Sequence, residues 1–186
     1  GIDPHVDEVY KKGAENMARM LEKGVLCQDQ APSYYIYRIE TELHCQTGVV
    51  GAGSVDAYEK NLIRRHELTR LDKETDRVKQ ILAVNAQTGP VFTTHKSNIP
   101  LSNLMDEITA GEAAYSVNNE AGEVHTLWVV NKRKQIKRIR QSFQNIGVIY
   151  IADGHHRSAA AFRVALERKK ANTAHTGLEA YNTFLI

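Results

Sequence analysis

Residues 147–170 read GVIYIADGHHRSAAAFRVALERKK. Val148 to Ile151 form a short β-branched and aromatic run that predicts a buried strand, and from Ala159 onward good helix formers recur at helical spacing. Asp-Gly-His-His-Arg-Ser lies between them. Asp153 is placed to cap the helix, and Gly154 allows close approach of backbone to a ligand. The first N–H groups of a helix have no internal acceptor, and its dipole is positive at that end, so His155, His156 and Arg157 gather at a ready-made phosphate site. Strand, turn and helix alone are common to all α/β proteins. Two imidazoles and a guanidinium at one helix start are not, because they repel when charged and a purely structural turn has no need of them.

Composition narrows the partners only weakly. The formal net charge is +2 with 25% charged residues, so binding has to be argued from local patches. Cys27 and Cys45 form no C-x-x-C pair, and no apolar run is long enough to span a bilayer, which leads us to expect free thiols in a reducing cytoplasm and no membrane partner. No repeat, low-complexity segment or linker interrupts 1–186, so one domain is expected. Gly1 has the look of a tag scar and the chain stops inside the apolar run YNTFLI, so a piece of a longer protein is expected.

Outward from the organising stretch, Asp3-Pro4 reads as an N-cap and first helical position, with Val6, Val9, Tyr10, Met17 and Leu21 periodic until Gly24. Tyr34 to Glu40 and Gln46 to Ser54 are predicted strands joined by a hairpin. Gly48, Gly51 and Gly53 do not make G-x-G-x-x-G, so a dinucleotide fold is unsupported. Val55 to Ile63 predicts a short helix, and Asp72 to Ala86 a longer one burying Val78, Ile81 and Leu82. Pro90 to Thr94 is a strand, Leu101 to Ala110 a helix, and Ala113 to Asn118 with Val124 to Val130 a hairpin holding Trp128 in the core. Asn131 to Gln144, NKRKQIKRIRQSFQ, is a basic amphipathic helix: either a solvated face over the stripe Ile136, Ile139 and Phe143, or a grip for nucleic acid phosphates.

The second concentrated stretch is Asn61 to Arg77, NLIRRHELTRLDKETDR. His66-Glu67-Leu68-Thr69-Arg70 begins like a zinc-protease helix but carries Arg70 where the second His ligand belongs. Lys73, Asp76 and Arg77 share a helical face, which suits either salt bridges or a carboxylate set among cations for a nucleotide and its magnesium.

YYIYRIE, QTGVVGAGSVDAYEKNLIRRHELTR with LDKETDR, and YIADGHHRSAAAF, in this order, resemble the domain-of-unknown-function family ten-fifteen from about Leu21 to the end. Through the D-G-H-H-R turn that family is linked to the ParB and sulfiredoxin superfamily, in which the corresponding turn binds nucleotide phosphates. The resemblance implies an α+β, α/β-like fold, a mixed sheet with flanking helices around a ParB/sulfiredoxin-like nucleotide-binding core. His155 stands where a sulfiredoxin carries Cys, which argues against that activity; the His-rich turn looks most like that of the kinases of free L-serine. The implied function is an ATP- or ADP-dependent phosphotransferase using Mg2+ and a small hydroxylated amino acid. Its alternative is a ParB-like, nucleotide-gated nucleic-acid-binding module.

For the kinase, the amides of Gly154, His155 and His156, with Arg157 and Ser158, are assigned to the phosphates, and Arg70 and Lys73 to the distal phosphate. Glu67 or Asp153 holds magnesium or acts as base, with His66 orienting that carboxylate.

Overall fold

The computed structural model describes residues 6–186. In chain order the elements are α1 (Asp7–Glu22), β1 (Tyr34–Glu40), β2 (Cys45–Val50), β3 (Ala52–Ser54), α2 (Val55–Glu59), β4 (Ile63–Arg64), α3 (Leu71–Val84), β5 (Phe92–Thr94), α4 (Ile99–Thr109), β6 (Tyr115–Asn118), β7 (Val124–Val130), α5 (Arg133–Ile146), β8 (Ile149–Asp153), α6 (His155–Ala171) and β9 (Thr183–Leu185). The architecture is mixed α+β, with antiparallel and mixed sheets. It divides into two compact units, one made of 6–28, 52–94 and 149–186, the other of 29–51 and 95–148. Each unit is assembled from separated segments, so no linker composition marks a boundary.

The first unit is built around β8, which pairs in parallel with β4 and antiparallel with β5. Ile151 in β8 is fully buried, as its β-branched run predicts. α6 leaves the end of β8 and packs on α3, where Ala160, Val164 and Val78 are buried and Ile81 lies against them. Alanines at 159, 160, 161 and 165 bring the α6 backbone close to its neighbours. Tyr58 of α2 meets Phe162 and Phe184, and β3 pairs with β9. Tyr10 of α1 donates to Asp76 Oδ1 of α3 at 2.7 Å.

The second unit is a four-stranded antiparallel sheet in the order β2-β1-β7-β6. Alternation along β1 and β7 sends Ile36, Trp128 and Val130 to one face, where they form a core with Leu101, Leu104 and Ile108 of α4 and Ile139 of α5. The Trp128 indole donates to the Gly111 carbonyl at 3.1 Å, and the Arg38 guanidinium lies 5.2 Å from its ring centre.

Several expectations are corrected. The run 46–54 is two strands in two different sheets, broken at Gly51, where a Cβ would lie 2.7 Å from the Tyr34 ring. The helix expected over 55–63 stops at Glu59; Asn61 turns the chain with φ 58°, and Ile63 is spent in β4 beside β8. Leu82 is 42% exposed, so α3 buries Val78 and Ile81 without it. Asp153 does not cap α6: Gly154, at φ 96°, holds the N-cap position, and the Asp153 carboxylate accepts from Arg157 instead. The cap expected at Asp3-Pro4 lies outside the described residues.

Leu104 is completely buried in the second unit, so Leu104→Ala should destabilise that unit by about 2–5 kcal/mol. Urea unfolding followed by the fluorescence of Trp128, the sole tryptophan, reads this directly.

Candidate functional site

The chain reverses from β8 into α6 at Gly154, whose positive φ disfavours any side chain. A Cβ there would sit 3.0 Å from Arg157 Nε, and one on Gly89 would sit 3.2 Å from Arg157 Nη1. Two glycines thus make the bed of a single guanidinium. Arg157 donates to the Pro90 carbonyl at 2.5 Å and to Asp153 Oδ2, fixing it across the start of the helix. The amides of Gly154, His155, His156 and Arg157 belong to the opening turn of a 17-residue helix, where N–H groups have no carbonyl four residues earlier to bind.

The His66–Arg70 turn lies against this helix start. The Arg70 backbone N–H donates to His156 Nε2 at 3.2 Å, which fixes the His156 tautomer: Nε2 is the acceptor, and Nδ1 carries the proton of the neutral ring. His155 Nδ1 lies 3.5 Å from Glu67 Oε2, and the His66 and His155 rings meet edge to face with centres 4.5 Å apart. His155 is 4% exposed, and its Nε2 is, among the described residues, the one buried side-chain polar atom without a hydrogen-bond partner. Burial, then the adjacent His66 ring, push the His155 imidazole below its ordinary pKa against the opposing pull of Glu67. The ring is therefore neutral near pH 7.

Both stretches line one cavity of about 1020 Å³ in the first unit. Its wall carries Glu67, Lys73 and Arg77 from the second stretch and Asp153, Gly154, His155, His156 and Arg157 from the first. Lys73 has no carboxylate within ion-pair distance among the described residues. Arg70, by contrast, spends its guanidinium on Asp72 at 2.7 Å and does not line the cavity; its backbone, not its side chain, serves the site. Ser158 is fully buried and its hydroxyl donates to the His155 carbonyl at 3.0 Å, one turn behind the cavity wall. Among the described residues His66 makes no hydrogen bond or ion pair with a carboxylate; the ring beside Glu67 is His155, against which His66 packs.

The H-E-x-T-R and K-E-x-D-R motifs divide by task. Thr69 donates to Glu74, a buried carboxylate that Arg163 of α6 also approaches at 3.4 Å, so Thr69 and Glu74 fasten the turn to the helices. Glu67 and Lys73 face the cavity.

Sequence reasoning missed the segment Ala86 to Gly89, which lines the cavity beside Arg157. Gln87 clamps it to β9, donating to the Thr183 carbonyl at 3.1 Å and accepting from the Leu185 N–H at 2.8 Å. Its only signal was a polar turn ahead of Pro90.

Chemically, the site is the positive end of a long helix facing carboxylates and cations across a polar cavity large enough for a nucleotide. The chain belongs to the family described as Protein of unknown function (DUF1015), which it matches over residues 2–186. No curated protein and no solved structure matches it.

His155 carries a pH dependence whose sign is fixed. Its folded-state pKa lies below the unfolded value of about 6.5, so the folded chain binds fewer protons than the unfolded one below that pH. Stability should fall as pH drops through 6.5 toward the folded-state value. Proton NMR of the His155 ring should show a midpoint below 6.5, and His155→Gln should weaken the acid-side loss of stability seen in urea unfolding.

Proposed function

We propose that this protein is a nucleotide-dependent phosphotransferase that phosphorylates the free hydroxyl of a small molecule, L-serine being the acceptor the His-rich turn suggests. The observation carrying this reading is the cavity at the α6 N-terminus, whose wall holds Gly154 to Arg157 of the opening helical turn and Lys73 together with carboxylates that include Glu67 and Asp153. A helix N-terminus favours bound phosphate, and phosphoryl transfer asks mainly for positioning and charge stabilisation. The resemblance of the D-G-H-H-R turn to the nucleotide-binding turn of the ParB and sulfiredoxin superfamily supports the same core assignment.

ATP or ADP would place its terminal phosphates on the Gly154–Arg157 amides, with Lys73 reaching the distal phosphate. Among the described residues no three His, Cys, Asp or Glu side chains form a metal cage. The cavity carboxylates Glu67 and Asp153 fit Mg2+ arriving with a nucleotide, since this ion is held by one or two carboxylates, phosphates and water. Asp153, with one oxygen on Arg157, would hold it through the other; the ion supplies charge neutralisation on the phosphates.

The two candidate bases differ in their surroundings. Asp153 is committed to Arg157, whereas Glu67 has no Lys or Arg partner among the described residues and faces only the neutral His155. Glu67 therefore takes the hydroxyl proton as the acceptor oxygen bonds to phosphorus. The bridging P–O bond breaks, and its electron pair leaves with the shortened nucleotide. His155 acts behind it as a positioning residue, its Nδ1 3.5 Å from the carboxylate.

Incubation with ATP or ADP, Mg2+ and L-serine, followed by phosphorus NMR, should yield phosphoserine. Glu67→Gln should lower kcat by about 10²–10⁴-fold with nucleotide affinity retained in calorimetry. Arg157→Ala should lose about 2.7–4 kcal/mol of transition-state stabilisation together with nucleotide binding. Absence of nucleotide binding by the wild type, or undiminished turnover in both variants, would overturn the proposal.

A further inference from the structure

The second unit carries a charge pattern that the cavity does not use. Residues 131–146 contain six Lys or Arg side chains and no acidic one. Ile139 of α5 is fully buried, with Phe143 and Ile146 packed against the same core, so the apolar stripe of this helix is consumed within the unit. Arg138 is taken by Glu107 of α4 at 2.5 Å. Lys132, Arg133, Lys134, Lys137 and Arg140 are exposed and make no ion pair among the described residues. Arg133, Lys137, Arg140 and Gln144 fall at i, i+4, i+7 and i+11, a single row along the helix about 16 Å long.

We infer that this row is a docking surface for the phosphate backbone of double-stranded nucleic acid. Charge complementarity is the argument, and three features choose the partner. A membrane surface would need the apolar stripe free to insert, and that stripe is buried. A protein partner would need an aromatic or aliphatic anchor, and the outward face of α5 offers Lys, Arg, Gln and Asn alone. Within the second unit the exposed carboxylates Glu42, Glu112 and Glu120 lie in separate turns and Glu107 is taken by Arg138, so this unit offers no acidic row to a second copy, and pairing with the carboxylates of α1 is read by the self-association arm of the test. A helix of this width fits the major groove of a duplex, where long cationic side chains reach the flanking phosphates and Gln141, Gln144 and Asn145 lie alongside. This surface is independent of the kinase reading, since no α5 residue lines the cavity.

The test is fluorescence anisotropy with a labelled 20-base-pair DNA duplex across a salt series, and with the single strand of equal length, using the full chain. About four phosphate contacts give a slope of log K against log salt near −3.6, so affinity should fall about 10²-fold between 50 and 200 mM salt. The triple variant Arg133→Gln, Lys137→Gln, Arg140→Gln changes only exposed side chains and should flatten that slope by about 2.7. Its nucleotide binding in calorimetry should match the wild type. No duplex binding at 50 mM salt, a slope the triple variant leaves unchanged, preference for the single strand, or salt-sensitive self-association in place of DNA binding would each overturn the proposal.

Discussion

The geometry of the first unit depends on one turn, the left-handed residue Gly154 between the end of β8 and the start of α6. Because that residue lacks a side chain, Arg157 can fold back over it and bind both Asp153 and the Pro90 carbonyl. The guanidinium thus ties strand, helix and the loop before β5 into one wall. A Cβ at position 154 would come within 3.0–3.2 Å of the guanidinium, closer than ordinary van der Waals contact, and demand a backbone conformation that L-residues rarely adopt. Everything else at the site is arranged around this closure. α3 packs on α6 through small residues, and the His66–Arg70 turn, which precedes α3, comes to rest on the two histidines.

The two histidines have divided roles that identical residue types conceal. His156 accepts from a backbone amide and is held in a single tautomer at the edge of the cavity. His155 is buried and neutral, with Glu67 on one side and, among the described residues, no partner for its other nitrogen. Buried polar atoms without partners are rare because each costs desolvation without return. This atom lies behind Glu67, which among the described residues has no Lys or Arg partner.

Much of this was legible in the sequence. The β-branched run at 148–151, the helix formers after 159 and the Gly between them defined the central strand and its helix, since local composition alone distinguishes a buried strand, a turn and a helix there. The alternation in 34–40 and 124–130 likewise predicted the hairpin strands around Trp128. What sequence could not reveal was set by distant neighbours. Gly51 reads as part of a strand until the Tyr34 ring is seen beside it. Ile63 reads as helix until β8 supplies a parallel partner. Arg70 reads as a phosphate ligand, but its side chain finds Asp72 two residues away while its amide finds His156 eighty-six residues away. No pattern announces which atoms of a residue will be used. The pairing of Glu67 with His155 was hidden for the same reason, because His66 is adjacent in sequence and His155 only in space.

The most direct test of the account is amide NMR of the whole chain titrated with ADP and Mg2+. The account predicts the largest shifts at the Gly154, His155, His156 and Arg157 amides, with Lys73 responding in step. Shifts confined to other parts of the chain, or none at millimolar nucleotide, would contradict it.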